Sequence, residues 1–158
     1  MAECGALEAS RIKQELLKNG RIVSVPVGKS MWPMLRNRKD QIVIKTVDCP
    51  LKRYDVPMYI YENNTERFYL HRIIKVRKDG RYVICGDNLW RKEYDVKDEN
   101  IIGVLEGFFR GDRYIDCNTN VLYHGYVIFW RLIYPVRCIL MLTRQYLGLI
   151  KSKLVKRK

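Results

Sequence analysis

Between Arg21 and Cys117 the chain is a series of short segments that alternate apolar and polar residues, separated by turn signals. A period of two is what a half-buried β-strand requires, and it narrows the fold more than any other feature. Arg21–Val27 alternates, and Gln41–Val47 is β-branched and alternating. Met58–Tyr61, Arg67–Val76, Tyr82–Cys85, Ile101–Phe109 and Tyr114–Cys117 follow. Asp79-Gly80, between Val76 and Tyr82, marks a hairpin, and Arg110-Gly111-Asp112-Arg113 marks a second turn. Such a series predicts a mostly antiparallel β-domain. The flanks read as helix. Leu7, Ile12, Leu16 and Leu17 recur near helical spacing within Ala6–Lys18, and Asn19-Gly20 stops the pattern as a C-cap does. From Val121 onward the pattern is helical again, with a break expected at Pro135. The expected class is mainly β (α+β): an N-terminal helix over 1–20, a compact antiparallel β-domain over 21–118, and a helical tail over 119–158. The 158 residues suffice for one domain with a modest core.

The net charge of +13 calls for an anionic partner. From Val121 to Lys158 there are eight Lys/Arg and no Asp/Glu, in a stretch rich in Leu, Ile, Tyr and Trp. Basic and apolar together suit an anionic membrane surface better than a phosphate backbone, so no nucleic acid is expected. Arg131, Pro135, Arg137 and Arg144 interrupt the apolar run, which favours an amphipathic interfacial segment over a spanning one. The expectation is peripheral membrane association through 121–158, with a cytoplasmic location otherwise. The first twenty residues carry charges throughout and lack the apolar run of about 7–15 residues of a secretory signal. Cys4, Cys49, Cys85, Cys117 and Cys138 are odd in number and lack a C-x-x-C, which suggests free thiols rather than a zinc or disulfide framework. With only two histidines besides, no metal and no organic cofactor is implied.

Three segments carry candidate chemistry. Val27-Gly28-Lys29-Ser30-Met31-Trp32-Pro33-Met34-Leu35 puts a small hydroxyl on a tight, partly apolar loop between two strands. Exposure, rigidity and nearby backbone N–H groups are what an acyl-transfer nucleophile needs. His71 lies within the expected strand Arg67–Val76, a rigid mount for a base, whereas His124 starts the basic tail and reads as a surface residue. Asp87 follows Gly86 at the end of Tyr82–Cys85. If the hairpin pairs Val76 with Tyr82, His71 and Asp87 are equally far from the turn, so they become cross-strand neighbours. Asp87 could then orient His71; otherwise it caps the following turn.

Gly28-Lys29-Ser30-Met31-Trp32-Pro33-Met34-Leu35 resembles the G-x-S-M-x-P-x-L box of type I signal peptidases and LexA-like peptidases. Leu70-His71-Arg72-Ile73-Ile74 is similar to the box that carries the family's general base. Gly86-Asp87-Asn88 resembles its G-D-N box, and Ile102-Gly103-Val104 its terminal strand. The branch with histidine in place of lysine is the one this chain resembles. The resemblance implies a signal-peptidase-like β-fold and a serine endopeptidase. Ser30 would attack the scissile carbonyl, His71 would move the proton, and Asp87 would support the imidazolium. Glu93 or Asp95 is the alternative third residue. Gly28, Lys29, Met31, Trp32 and Pro33 would form the oxyanion and substrate loop. Met31, Trp32 and Met34 either line the approach to the site or pack in the core. Where many relatives have a serine two residues before the nucleophile, this chain has Gly28, so the oxyanion hole would rest on backbone donors.

The expected substrate is a peptide or protein with a leader or signal-like segment, cut near a membrane after small side chains. Two alternatives remain at this level. One is a non-catalytic or regulatory basic β-domain that binds anionic lipid or nucleic acid. The other is a LexA-like self-cleaving regulator, for which Cys4-Gly5 and Cys85-Gly86 are the available bonds.

Overall fold

A computed structural model describes residues 2–47, 49–61 and 64–155. Helix α1 spans Ala2–Asn19, and its end is closed by the Gly20 N–H on the Leu16 carbonyl at 2.8 Å. Strands β1 (Arg21–Ser24), β2 (Gln41–Lys45), β3 (Pro57–Tyr61), β4 (Asn64–Leu70), β8 (Ile101–Arg110) and β9 (Arg113–Asp116) form a six-stranded sheet. Its order is β1-β2-β8-β3-β4, with β9 also on β8. Strands β5 (Arg72–Val76), β6 (Tyr82–Cys85) and β7 (Glu93–Val96) form a second, three-stranded sheet. Every pairing is antiparallel. A 3₁₀ turn at Asp98–Asn100 leads into β8, and helix α2 runs from Val121 to Val155.

The central strands of the larger sheet are buried on both faces, and their alternation divides the side chains between two cores. Ile44, Met58, Leu105 and Phe108 face one way, toward Leu16 of α1 and Met31, Met34 and Leu35 of the loop after β1. Tyr59 and Val104, the neighbours of Met58 and Leu105, face the other way and pack on Ile73, Tyr82 and Ile84 of the smaller sheet. The α+β class, the antiparallel sheets and the terminal helices are therefore as the periodicity predicts.

Several boundaries differ from the sequence reading. β1 stops at Ser24, before Pro26, which has no N–H for the ladder. Arg67–Val76 is not one strand: it divides at His71, β4 staying in the larger sheet and β5 opening the smaller. His71 thus sits at the joint between the sheets. β7 has no apolar alternation and was not anticipated. α2 continues through Pro135 as one helix, with side chains docked on the domain on both sides of the proline, at Trp130, Tyr134 and Arg137.

Candidate functional site

The loop from Gly28 to Leu35 is held from both sides. Met31, Met34 and Leu35 are buried in the first core, so Met31 and Met34 are packing residues rather than the lining of a substrate approach. Trp32 is 52% exposed beside them. Gly28 has φ +113°, a conformation reserved in practice for glycine, and its N–H donates to Asn37 Oδ1 at 2.8 Å. A serine with a side-chain donor is therefore disfavoured at this position. On the far side, the Asn88 N–H donates to the Ser30 carbonyl at 2.7 Å and Asn88 Nδ2 to the Lys29 carbonyl at 3.0 Å. Ser30 is half-buried at the centre of these contacts.

Gly86 brings Ser30 and His71 together. A Cβ added at Gly86 would lie 2.7 Å from the Ser30 carbonyl oxygen and 3.1 Å from His71 Cδ2. The serine backbone and the Cδ2–Nε2 edge of the imidazole thus meet over one glycine that has no room for a side chain. His71 is 95% buried, and its other ring nitrogen is occupied. Nδ1 lies 2.9 Å from the Tyr59 hydroxyl and 3.1 Å from Glu93 Oε1. The Tyr59 hydroxyl donates to Glu93 Oε2. The Glu93 carboxylate can only accept, so the 3.1 Å approach of its Oε1 calls for a proton on Nδ1. That assigns the Nδ1–H tautomer and leaves Nε2 as the acceptor, the arrangement a general base requires.

The third residue is where the hairpin register matters. Val76 pairs with Tyr82 as expected, but a bulge at Ile74 shifts the register, so that Ile73 pairs with Ile84 and Arg72 with Cys85. His71 then stands opposite Gly86 rather than Asp87. A one-residue slip reverses the face of every side chain beyond it. The expected Asp87–His71 contact is replaced by a bidentate pair: Arg72 Nε and Nη2 donate to Asp87 Oδ1 and Oδ2, both at 2.8 Å. Asp95 is no substitute, being exposed and paired with Arg77 and Arg81. The carboxylate beside His71 is Glu93, at the start of β7 and 21% exposed. Tyr59 is the residue sequence reasoning missed; an internal tyrosine in a strand carries no signal of its own.

The Arg72–Asp87 pair is fully buried, with both side chains at 0% exposure. Arg72 also donates to the Tyr54 carbonyl and the Tyr123 hydroxyl, both at 3.1 Å. Tyr126 donates to Asp87 Oδ2 at 2.9 Å, and Trp130 Nε1 to the Asp87 carbonyl at 3.1 Å. The guanidinium lies 5.6 Å from the Trp130 ring centre. Burial opposes the charge of Arg72, but the Asp87 carboxylate outweighs it and raises the pKa above the usual arginine value. Two turns beyond Trp130 along α2, Arg137 donates to Asn88 Oδ1 at 2.7 Å. α2 therefore holds the 86–88 turn, and Asn88 of that turn holds Lys29 and Ser30.

His124 is exposed, its Nε2 2.8 Å from the Asn118 carbonyl oxygen, away from the site. Cys85-Gly86, one of the two bonds considered for self-cleavage, is buried inside the site. Among the described residues no group of three His, Cys, Asp or Glu is placed to hold a metal ion.

Two variants separate the roles of the two carboxylates. Asp87→Asn leaves the Arg72 charge uncompensated in the interior and is expected to cost about 3–5 kcal/mol of stability. Glu93→Gln, at a partly exposed position, is expected to cost less than about 1 kcal/mol. Urea denaturation of both variants checks this.

Comparison with protein-family models gives no match, and comparison with curated proteins and with solved structures gives none either. The site thus combines a serine on a fixed loop, a buried imidazole across Gly86 from that serine's backbone carbonyl, and a carboxylate–tyrosine pair on the far ring nitrogen.

Proposed function

We propose that this protein is a serine endopeptidase of the signal-peptidase type, acting on a leader or signal-like segment at a membrane surface. The observation that carries the reading is the convergence of Ser30 and His71 on Gly86, with His71 Nδ1 held by Glu93 and Tyr59. In this mechanism Ser30 Oγ attacks the scissile carbonyl and passes its proton to His71 Nε2. The imidazolium is stabilised by Glu93 through Nδ1–H. Collapse of the tetrahedral intermediate sends that proton to the leaving amine, and water then hydrolyses the acyl-enzyme with His71 again as base. Glu93 takes the supporting role that the resemblance alone gives to Asp87, and Arg72, Asp87 and Asn88 become positioning residues.

The membrane part of the reading rests on α2. Val121–Arg144 is long and apolar enough to cross a bilayer, with mean hydropathy 1.4 and only 6% of that window buried. Length and composition alone fit the core helix of a soluble protein equally, but such a helix is mostly buried. Tyr123, Tyr126, Trp130, Tyr134 and Arg137, spaced by three or four residues, dock one face on the β-domain. Ile128, Phe129, Leu132, Val136 and Ile139 are exposed on the other side. A helix fixed along one side to a polar domain and apolar along the other suits the interface plane better than the bilayer interior.

A basic β-domain that binds anions without catalysis is the second reading, favoured by the net charge of +13. Digestion of a peptide library, read by mass spectrometry, separates the two. Wild type is expected to cut after small side chains, and Ser30→Ala and His71→Ala to abolish cutting. Glu93→Gln is expected to lower kcat by about 10²–10⁴-fold with little change in KM. Cleavage retained by Ser30→Ala or His71→Ala contradicts the mechanism.

For the membrane, deleting 121–158 would uncover the Arg72–Asp87 pair, so substitutions on the exposed face are the cleaner probe. Ile128→Asp, Leu132→Asp and Ile139→Asp combined should leave the melting temperature near wild type and abolish flotation with liposomes.

A further inference from the structure

Between the smaller sheet and the flank of α2 lies a groove of about 670 Å³. Arg53, Lys75, Arg77, Lys92 and Arg131 line it, and among the described residues no carboxylate does. Arg77 is neutralised by Asp79 and Asp95, whose side chains lie outside the lining. The other four are exposed, and only Arg131 belongs to α2. The remaining charge comes from separate parts of the β-domain that the fold brings to one concave wall. Tyr94, 58% exposed, and the half-buried Tyr134 supply aromatic surface to the same wall, with Trp130 buried behind them.

We infer that this groove binds the phosphate of an anionic phospholipid headgroup; the inference rests on the membrane reading of α2 and not on the peptidase reading. Like charges gathered without a counter-ion raise one another's energy, and a bound phosphate relieves that repulsion. The groove adjoins the apolar face: Arg131 is one helical turn from Ile128, and Pro135, also in the lining, is one turn from Leu132 and Ile139. A bilayer that accepts Ile128, Leu132 and Ile139 brings its headgroups level with the mouth of the groove. Tyrosine is a residue that settles at that depth, and Tyr94 is exposed there. A nucleic acid would satisfy the charge but leave the apolar face without a partner. Strand β7 links this groove to the site: Lys92 and Tyr94 line the groove, while Glu93 between them turns toward His71.

The test is flotation of the full chain with vesicles of phosphatidylcholine alone and of phosphatidylcholine containing phosphatidylglycerol. Lys75→Gln, Lys92→Gln and Arg131→Gln combined should weaken partition to the anionic vesicles on the order of 100-fold, and each alone about 5-fold. Binding to the neutral vesicles should not change. A control that removes the same charge elsewhere, Lys18→Gln, Lys39→Gln and Arg113→Gln, should lose far less. Equal losses in the two triple variants overturn the site in favour of diffuse attraction. Unchanged anionic partition in the groove variants also overturns it. So does loss of binding to a single-stranded oligonucleotide in those variants while flotation persists, which would assign the groove to nucleic acid. Failure of the membrane reading itself looks different: wild type then floats with neither kind of vesicle.

Discussion

The buried pair of Arg72 and Asp87 is the interaction on which the rest of the molecule depends. Taking two charges out of water costs several kcal/mol per ion, and the attraction between them offsets this only when geometry is good and the remaining groups are satisfied. Both conditions hold here. The pair is bidentate, three tyrosine and tryptophan side chains of α2 complete its contacts, and the Tyr54 carbonyl takes a further N–H. Each member is also the chain neighbour of a site element: Arg72 follows His71, and Asp87 lies between Gly86 and Asn88. The pair therefore fixes the imidazole, the glycine contact and the loop clamp in one step, and it ties all three to the C-terminal helix.

That arrangement shows what was legible in the sequence. Alternation located the strands of the larger sheet because their side chains meet two apolar cores, and Asn19-Gly20 marked the end of α1. A loop serine and a strand histidine are ordinary by themselves, and Ser30 and His71 stood out through the resemblance of the segments Gly28–Leu35 and Leu70–Ile74 to the signal-peptidase boxes. Asp87 was a reasonable partner for His71 under a regular hairpin. The bulge at Ile74 is a local irregularity that adds one residue, and no composition signal marks it. It moves Asp87 to Arg72 and leaves His71 facing Gly86. Glu93 was visible only as one of two acidic residues after the hairpin. Its strand, Glu93–Val96, has a single buried position, Val96, and so carries no periodic signal. Tyr59 could not be singled out among eleven tyrosines.

The C-terminal helix was legible in kind but not in its contacts. Its basic and apolar composition indicated an interface, and the expected break at Pro135 did not occur. What composition could not reveal is that Tyr123, Tyr126 and Trp130 face inward to an ion pair rather than outward to lipid. The same helix thus has two jobs set by its two faces. One completes the polar interior beside the site, and the other leaves a continuous apolar surface exposed. An exposed apolar stripe on that scale marks an interaction surface. Its placement puts the proposed peptidase site and the proposed lipid surface on opposite ends of one chain of contacts, from Arg137 through Asn88 to Ser30.

The protonation pattern of His71 bears most directly on whether this is a base poised by Glu93 and Tyr59. Long-range proton–nitrogen NMR correlation on imidazole-labelled protein reads the tautomer without any substrate. The neutral ring should carry its proton on Nδ1, and Glu93→Gln should disturb that signal while Lys39→Gln leaves it unchanged. A neutral ring protonated on Nε2, or a His71 signal indifferent to Glu93→Gln, would contradict the Ser30–His71–Glu93 arrangement.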